Sequence, residues 1–131
     1  MRLWHYKLLE VLPRQQLLGQ WRELNSIFKK QDKHILINFI YDYPKEHLLL
    51  YSNLVMFEMR DRGYNIKTLD NYYKYFAGIV STGNVIRCFP DKMNDRYLKQ
   101  CYYNLQEKYD CKSISKEEWE RIEEWKQLKN I

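Results

Sequence analysis

Arg22 and Glu23 sit side by side in Gln15-Gln16-Leu17-Leu18-Gly19-Gln20-Trp21-Arg22-Glu23-Leu24, on the polar side of an otherwise apolar stretch that begins about a dozen residues after the Met1 amine. An α-amine titrates near 7.7–8.0 and a lysine near 10.4, so at pH 7 the former is the free nucleophile about two to three orders of magnitude more often. An amine of that kind with a carboxylate partner is the pair imine chemistry uses, and it can open a sugar ring. Glu23 at the site would steady a developing oxocarbenium or iminium charge and move protons. Arg22, with its planar guanidinium, suits a phosphate.

The elements that must carry these residues read as helices. After Pro13, Leu17, Trp21, Leu24 and Phe28 recur at helical steps, giving an amphipathic helix over about 13–30 with Gln15, Gly19, Arg22 and Ser26 on the other side and Gln16, Gln20 and Glu23 one step round. Pro44 opens a second helix, about 45–62, lined by Leu48, Ser52, Val55 and Met59 and ending in Arg60, Arg62 and Gly63. A third helix is expected over roughly 94–109 from Leu98, Cys101, Tyr102 and Leu105. A fourth starts at Ser115, whose pairing with Glu118 makes a capping box ahead of Trp119, Ile122 and Trp125. The run 35–41 reads as either a short buried strand or a compact loop, and 64–90 as irregular. The fold class expected is mainly α, a compact single domain over 1–131 with three to four helices and long ordered loops.

Of the 131 residues 45% are hydrophobic, enough for one core. Lys and Arg number 22 against 17 Asp and Glu, a formal +5, which favours an anionic partner. The last seventeen residues hold five glutamates, so the basic excess belongs to the body of the domain. Three cysteines, Cys88, Cys101 and Cys111, without CxxC spacing or a leader, fit reduced thiols in a cytoplasmic protein. No stretch reaches the roughly 18 apolar residues of a membrane span. The histidines His5, His34 and His47 are too scattered for metal-ligand spacing. We expect no metal, no organic cofactor, no membrane and a monomer.

Leu12, Gln15, Leu17, Arg22-Glu23-Leu24 and Phe28 together resemble the opening helix of the pyrimidine-dimer DNA glycosylases of the phage endonuclease V type. Arg62-Gly63-Tyr64-Asn65-Ile66-Lys67 resembles the end of that family's second helix. The resemblance covers roughly residues 1–67. It implies a compact helical glycosylase and AP lyase that acts on pyrimidine dimers in duplex DNA. Its nucleophile would be the amine of Met1, which forms an imine at deoxyribose C1′, and Glu23 would assist ring opening and β-elimination. Arg2 and Arg22 would hold phosphates around the lesion. Gln15 and Gln16 join the expected DNA contacts, and so does His5, close to the terminus.

The chain departs from the family pattern in four places. Arg2 is too bulky for ordinary methionine removal, so Met1 itself would supply the amine. A histidine of the pattern is Gln16 here, and a phosphate-binding arginine is Ser26. The aromatic and basic C-terminal segment is replaced by a glutamate-rich helix, with a look-alike, Tyr72-Tyr73-Lys74-Tyr75-Phe76, in mid-chain, from which Tyr72 and Lys74 are taken as DNA contacts. Alternatives are a non-catalytic basic helical DNA-binding protein, or an AP lyase for another lesion.

Overall fold

A computed structural model describes residues 2–131 as a helical protein, with no strand among the described residues. Five α-helices follow one another: α1 (Arg14–Lys30), α2 (Lys45–Asp61), α3 (Asp70–Tyr75), α4 (Asp95–Asp110) and α5 (Lys116–Leu128). Two 3-10 helices, Tyr6–Val11 and Asn38–Asp42, precede α1 and α2. None of these helices is long and apolar enough to cross a membrane.

Local chemistry sets the helix ends. Pro13 and Pro44 cap α1 and α2 in extended conformation, with φ −56° at both, and so sit one residue ahead of the first turn where the sequence suggested them. Gln31 stops α1 in the left-handed region at φ 50°, its N–H on the Ile27 carbonyl, with Lys29 and Lys30 facing the negative end of the helix dipole. At the end of α2, Gly63 (φ 82°) donates to the Arg60 carbonyl and Tyr64 to that of Met59, a Schellman closure that a side chain at the glycine would strain. The expected capping box forms at Ser115 and Glu118.

Helix α1 lies against α2 and α3, while Tyr6–Val11 lies between α2 and α5, and α4 closes on α5. Their apolar faces meet in one cluster that includes Leu17, Trp21, Leu24, Val55, Met59, Leu105 and Ile122. Phe28 of α1 is ringed by Tyr72, Tyr75 and Phe76. Phe89, fully buried at φ 46°, anchors the loop before α4 among Phe39, Tyr43, His47 and Tyr51.

Two stretches read as irregular or undecided are ordered helix. Residues 70–75 form α3 because their rings need a partner and find Phe28. The run 35–41 is a turn leading into Asn38–Asp42, pinned by buried Ile37 and Ile40. All three cysteines are free thiols, Cys88 and Cys101 buried and Cys111 exposed.

Candidate active site

Residues 2–5 run extended through the interior, with Leu3, Trp4 and His5 buried. A buried extended segment outside any sheet leaves its N–H and C=O groups without ladder partners, and unpaired groups of that kind are costly. Side chains from three helices supply the partners. Gln20 of α1, itself 1% exposed, accepts the Trp4 N–H on Oε1 at 2.8 Å and donates from Nε2 to the Arg2 carbonyl at 3.1 Å. The Tyr51 hydroxyl of α2 lies 2.6 Å from the Trp4 carbonyl and 2.8 Å from Gln20 Oε1, with one proton to share between them. The Tyr97 hydroxyl of α4 donates to the Leu3 carbonyl. Burial pushes both tyrosine pKa values up, which keeps these donors protonated.

The same segment is fixed at its far end. His5 Nε2 lies 2.9 Å from the Met93 carbonyl and Nδ1 accepts the Lys7 N–H at 3.1 Å, which assigns the proton to Nε2. Arg62 reaches across from the end of α2 to the Leu12 carbonyl (2.8 Å) and the Leu9 carbonyl (3.0 Å), while its Nε pairs with Glu58 at 2.8 Å. Arg62, the first of the residues after α2 that carry the sequence resemblance, therefore ties that helix end to the Leu9 and Leu12 carbonyls.

Beside residues 2 and 4 opens a cleft of about 340 Å³. One wall is the face of α1 formed by Gln15, Gln16, Gly19, Gln20 and Glu23. Arg2 and Trp4 form the back, Leu36 the rim, and Asn104 and Lys108, one turn apart on α4, the opposite wall. Glu23 is its one carboxylate. Gln20 Nε2 is 3.3 Å from Glu23 Oε2, and the Arg2 backbone N–H also supports this anion. Partial burial raises the Glu23 pKa above its usual 4.5, against the opposite pull of the Arg2 N–H, His34 and Arg22. The guanidinium of Arg2 stands 5.7 Å from the Trp4 ring centroid. Gln16 Oε1 is buried with no hydrogen-bond donor among the described residues, an acceptor left for something else.

The structure thus brings Arg2, Gln15, Gln16 and Glu23 together. Arg22 stands at the edge: its Nη2 is 3.6 Å from where a Gly19 side chain would begin, and it lines a second groove of about 310 Å³ with Ser26, Lys29 and Asn71. Met1 lies outside the described residues. One expectation is corrected. His5 is buried with both ring nitrogens engaged, and burial lowers its pKa to about 4, so it is a neutral strut behind the site rather than a DNA contact. Tyr72 packs edge-to-face against Phe28 (6.0 Å) and Phe76 (5.3 Å), donates its hydroxyl to Asn53 (2.7 Å) and lines no part of the cleft. Lys74, next to it, is exposed and lines no part of the cleft.

Sequence reading missed Gln20, Tyr51, Trp4, Asn104 and Lys108. Only Gln20 carried a local signal, a polar side chain one turn before Glu23 on the same side of the helix. No group of three or more His, Cys, Asp or Glu able to hold a metal ion occurs among the described residues.

Among the described residues the cleft brings together two cations, one carboxylate of raised pKa and four side-chain amides. A family model described as pyrimidine dimer DNA glycosylase matches residues 1–72, which include α1, α2 and the clamped segment. No curated protein and no solved structure matches the chain.

Proposed function

The chain belongs to the pyrimidine dimer DNA glycosylase family, and from that premise we propose that it cleaves a glycosidic bond of the dimer and nicks the strand through an imine formed by the amine of Met1. The observation that carries this reading is the setting of Glu23, a half-buried carboxylate against the Arg2 backbone N–H, one peptide from that amine.

In the proposed reaction the amine lone pair attacks C1′ of the deoxyribose as the glycosidic C–N bond breaks and the base leaves with the bonding pair. The proton lost from the amine passes to ring O4′ as the C1′–O4′ bond opens, which leaves a hydroxyl there and gives the iminium at C1′, while the departed base takes a proton from water. Glu23, ionised, stabilises that positive charge and then accepts a C2′ proton, whose C–H electrons expel the 3′ phosphate in β-elimination. Water hydrolyses the imine and restores the amine. Arg2 and Lys108 are the cations set to hold the flanking phosphates, with Arg22 at the rim. Gln15, Gln16 and Asn104 line the space for the extruded nucleotide, and the unpaired Gln16 Oε1 would accept an N–H from it.

Borohydride trapping tests this on duplex oligonucleotides carrying one thymine dimer, an abasic site or no lesion. A covalent adduct on the dimer, mapped to Met1, is the expected result. An adduct on the abasic site alone would reassign the substrate, and an adduct on another residue would remove the amine from the mechanism. Glu23→Gln should cut strand cleavage by about 10²–10⁴-fold with dimer binding largely kept. Activity that needs ionised Glu23 falls as pH drops through its raised pKa, so the acid limb of the rate profile should lie above 4.5.

A further inference from the structure

The turn between α1 and Asn38–Asp42 carries Ile35 at its tip with 86% of its surface exposed, followed by Leu36 at 41%. An isoleucine this bare at the mouth of a site lacks a structural reason, because the turn is braced without it. Buried Ile37 and Ile40 root it in the core. The Asn38 side chain accepts the His34 N–H at 2.8 Å, His34 Nδ1 accepts the Leu36 N–H at 3.2 Å, and the Tyr41 hydroxyl donates to the Asp32 carbonyl. The turn is thus a rigid projection with an apolar point.

Its position and surroundings indicate what that point meets. Leu36 lines the cleft that holds Glu23. Lys29, Lys30 and Lys33 are exposed in the stretch of chain that leads to this turn, Lys29 lining the groove beside Arg22, with the half-buried Asp32 among them. An apolar tip bordered by lysines, beside a cleft for a nucleotide, complements a duplex in which phosphates flank a stack of bases. Ile86 and Val80 are as bare, at 85% and 75%, but sit on a loop that contributes nothing to the cleft.

Resting on the reading above that the partner is damaged duplex DNA, we propose that Ile35 is a wedge that enters the base stack next to the nucleotide drawn into the cleft. Apolar side chains inserted at a base step unstack it and kink the duplex, and a nucleotide must leave the stack before Glu23 can reach its sugar. Leu36 then fills the gap between wedge and cleft.

The test is 2-aminopurine fluorescence from a duplex with the analogue stacked beside a thymine dimer. Binding of the wild-type chain should raise the signal as the step opens. Ile35→Ala should leave it near that of free duplex and slow duplex cleavage roughly 10–100-fold, the cost of opening a step unaided, while Ile35→Leu should restore both. The salt dependence of binding should be the same in all three, because the lysines stay. A full fluorescence rise with Ile35→Ala, or no rise with the wild type once bound, would overturn the wedge. Borohydride trapping on the same duplex keeps the two readings apart. A rise without an adduct sinks the imine chemistry and leaves the wedge, and an adduct without a rise does the reverse.

Discussion

Residues 2–12 and helix α5 both bury apolar side chains in the same core, Leu3, Leu8 and Leu12 from the one and Trp119, Ile122 and Trp125 from the other, yet they differ in the polar bonds added to that contact. The N-terminal stretch is held through individual polar bonds, each from a different side chain: Gln20, Tyr51, Tyr97 and Arg62 to its backbone, and His5 outward to Met93. Helix α5 is held by an apolar stripe of Trp119, Ile122 and Trp125, supplemented by Trp125 Nε1 on Glu10 at 2.6 Å and by Glu118 on the Arg14 N–H at 2.9 Å. Apolar contact stabilises without fixing register, whereas a directional bond fails when its partner moves by an ångström. The end proposed to carry the chemistry is the one held by directional bonds.

Gln20→Leu should break this contrast most severely. It strands the buried Trp4 N–H and Arg2 carbonyl and removes a donor from Glu23, so we expect a loss of about 3 kcal/mol in urea unfolding together with a fall in cleavage rate larger than any fall in DNA affinity. Unchanged stability would show that the segment does not depend on its clamp.

A pH series sharpens the comparison through His5. Its folded-state pKa, about 4, is below the ordinary 6.5, so the unfolded chain binds the extra proton. The stability tied to the neutral ring is complete above about pH 6.5 and is lost as pH falls toward 4, about 2 kcal/mol of it by pH 5. His5→Gln should flatten that part of the unfolding profile relative to wild type.

The smallest effect belongs to the other end. Ser115→Ala removes half of the capping box and should cost about 1 kcal/mol, a few degrees in melting temperature, with cleavage rates unaltered. A marked loss of cleavage would mean that α5 positions the site after all.

How much could be read beforehand follows the same division. Helices α1, α2, α4 and α5 were legible to within a residue because each has a periodic apolar face, and three of them also carry a chemical signal at an end: Pro13 for α1, Pro44 and Gly63 for α2, and Ser115 for α5. Helix α3 was not, since six residues rich in tyrosine carry no period. Of the site, the α1 wall was legible, Gln15, Gln16 and Glu23 sharing one helix face. Asn104 and Lys108 could not be foreseen, because they reach the cleft from a helix some eighty residues later and no local pattern announces it. His5 misled because a polar side chain near a site is often what the interior uses to satisfy its own backbone, as its bond to the Met93 carbonyl illustrates.

The clamping of residues 2–5 also dictates an order of assembly. The partners of Leu3 and His5, Tyr97 and Met93, lie 94 and 88 positions further along the chain, and the α4 wall of the cleft is later still. At roughly 5–20 residues per second of synthesis, the first residues emerge and then wait about 5–20 s for those partners to be made. Helices α1 and α2 can pair in that interval, but the cleft cannot exist until α4 arrives, so residues 2–5, synthesised well before their partners, are among the last to reach their native place.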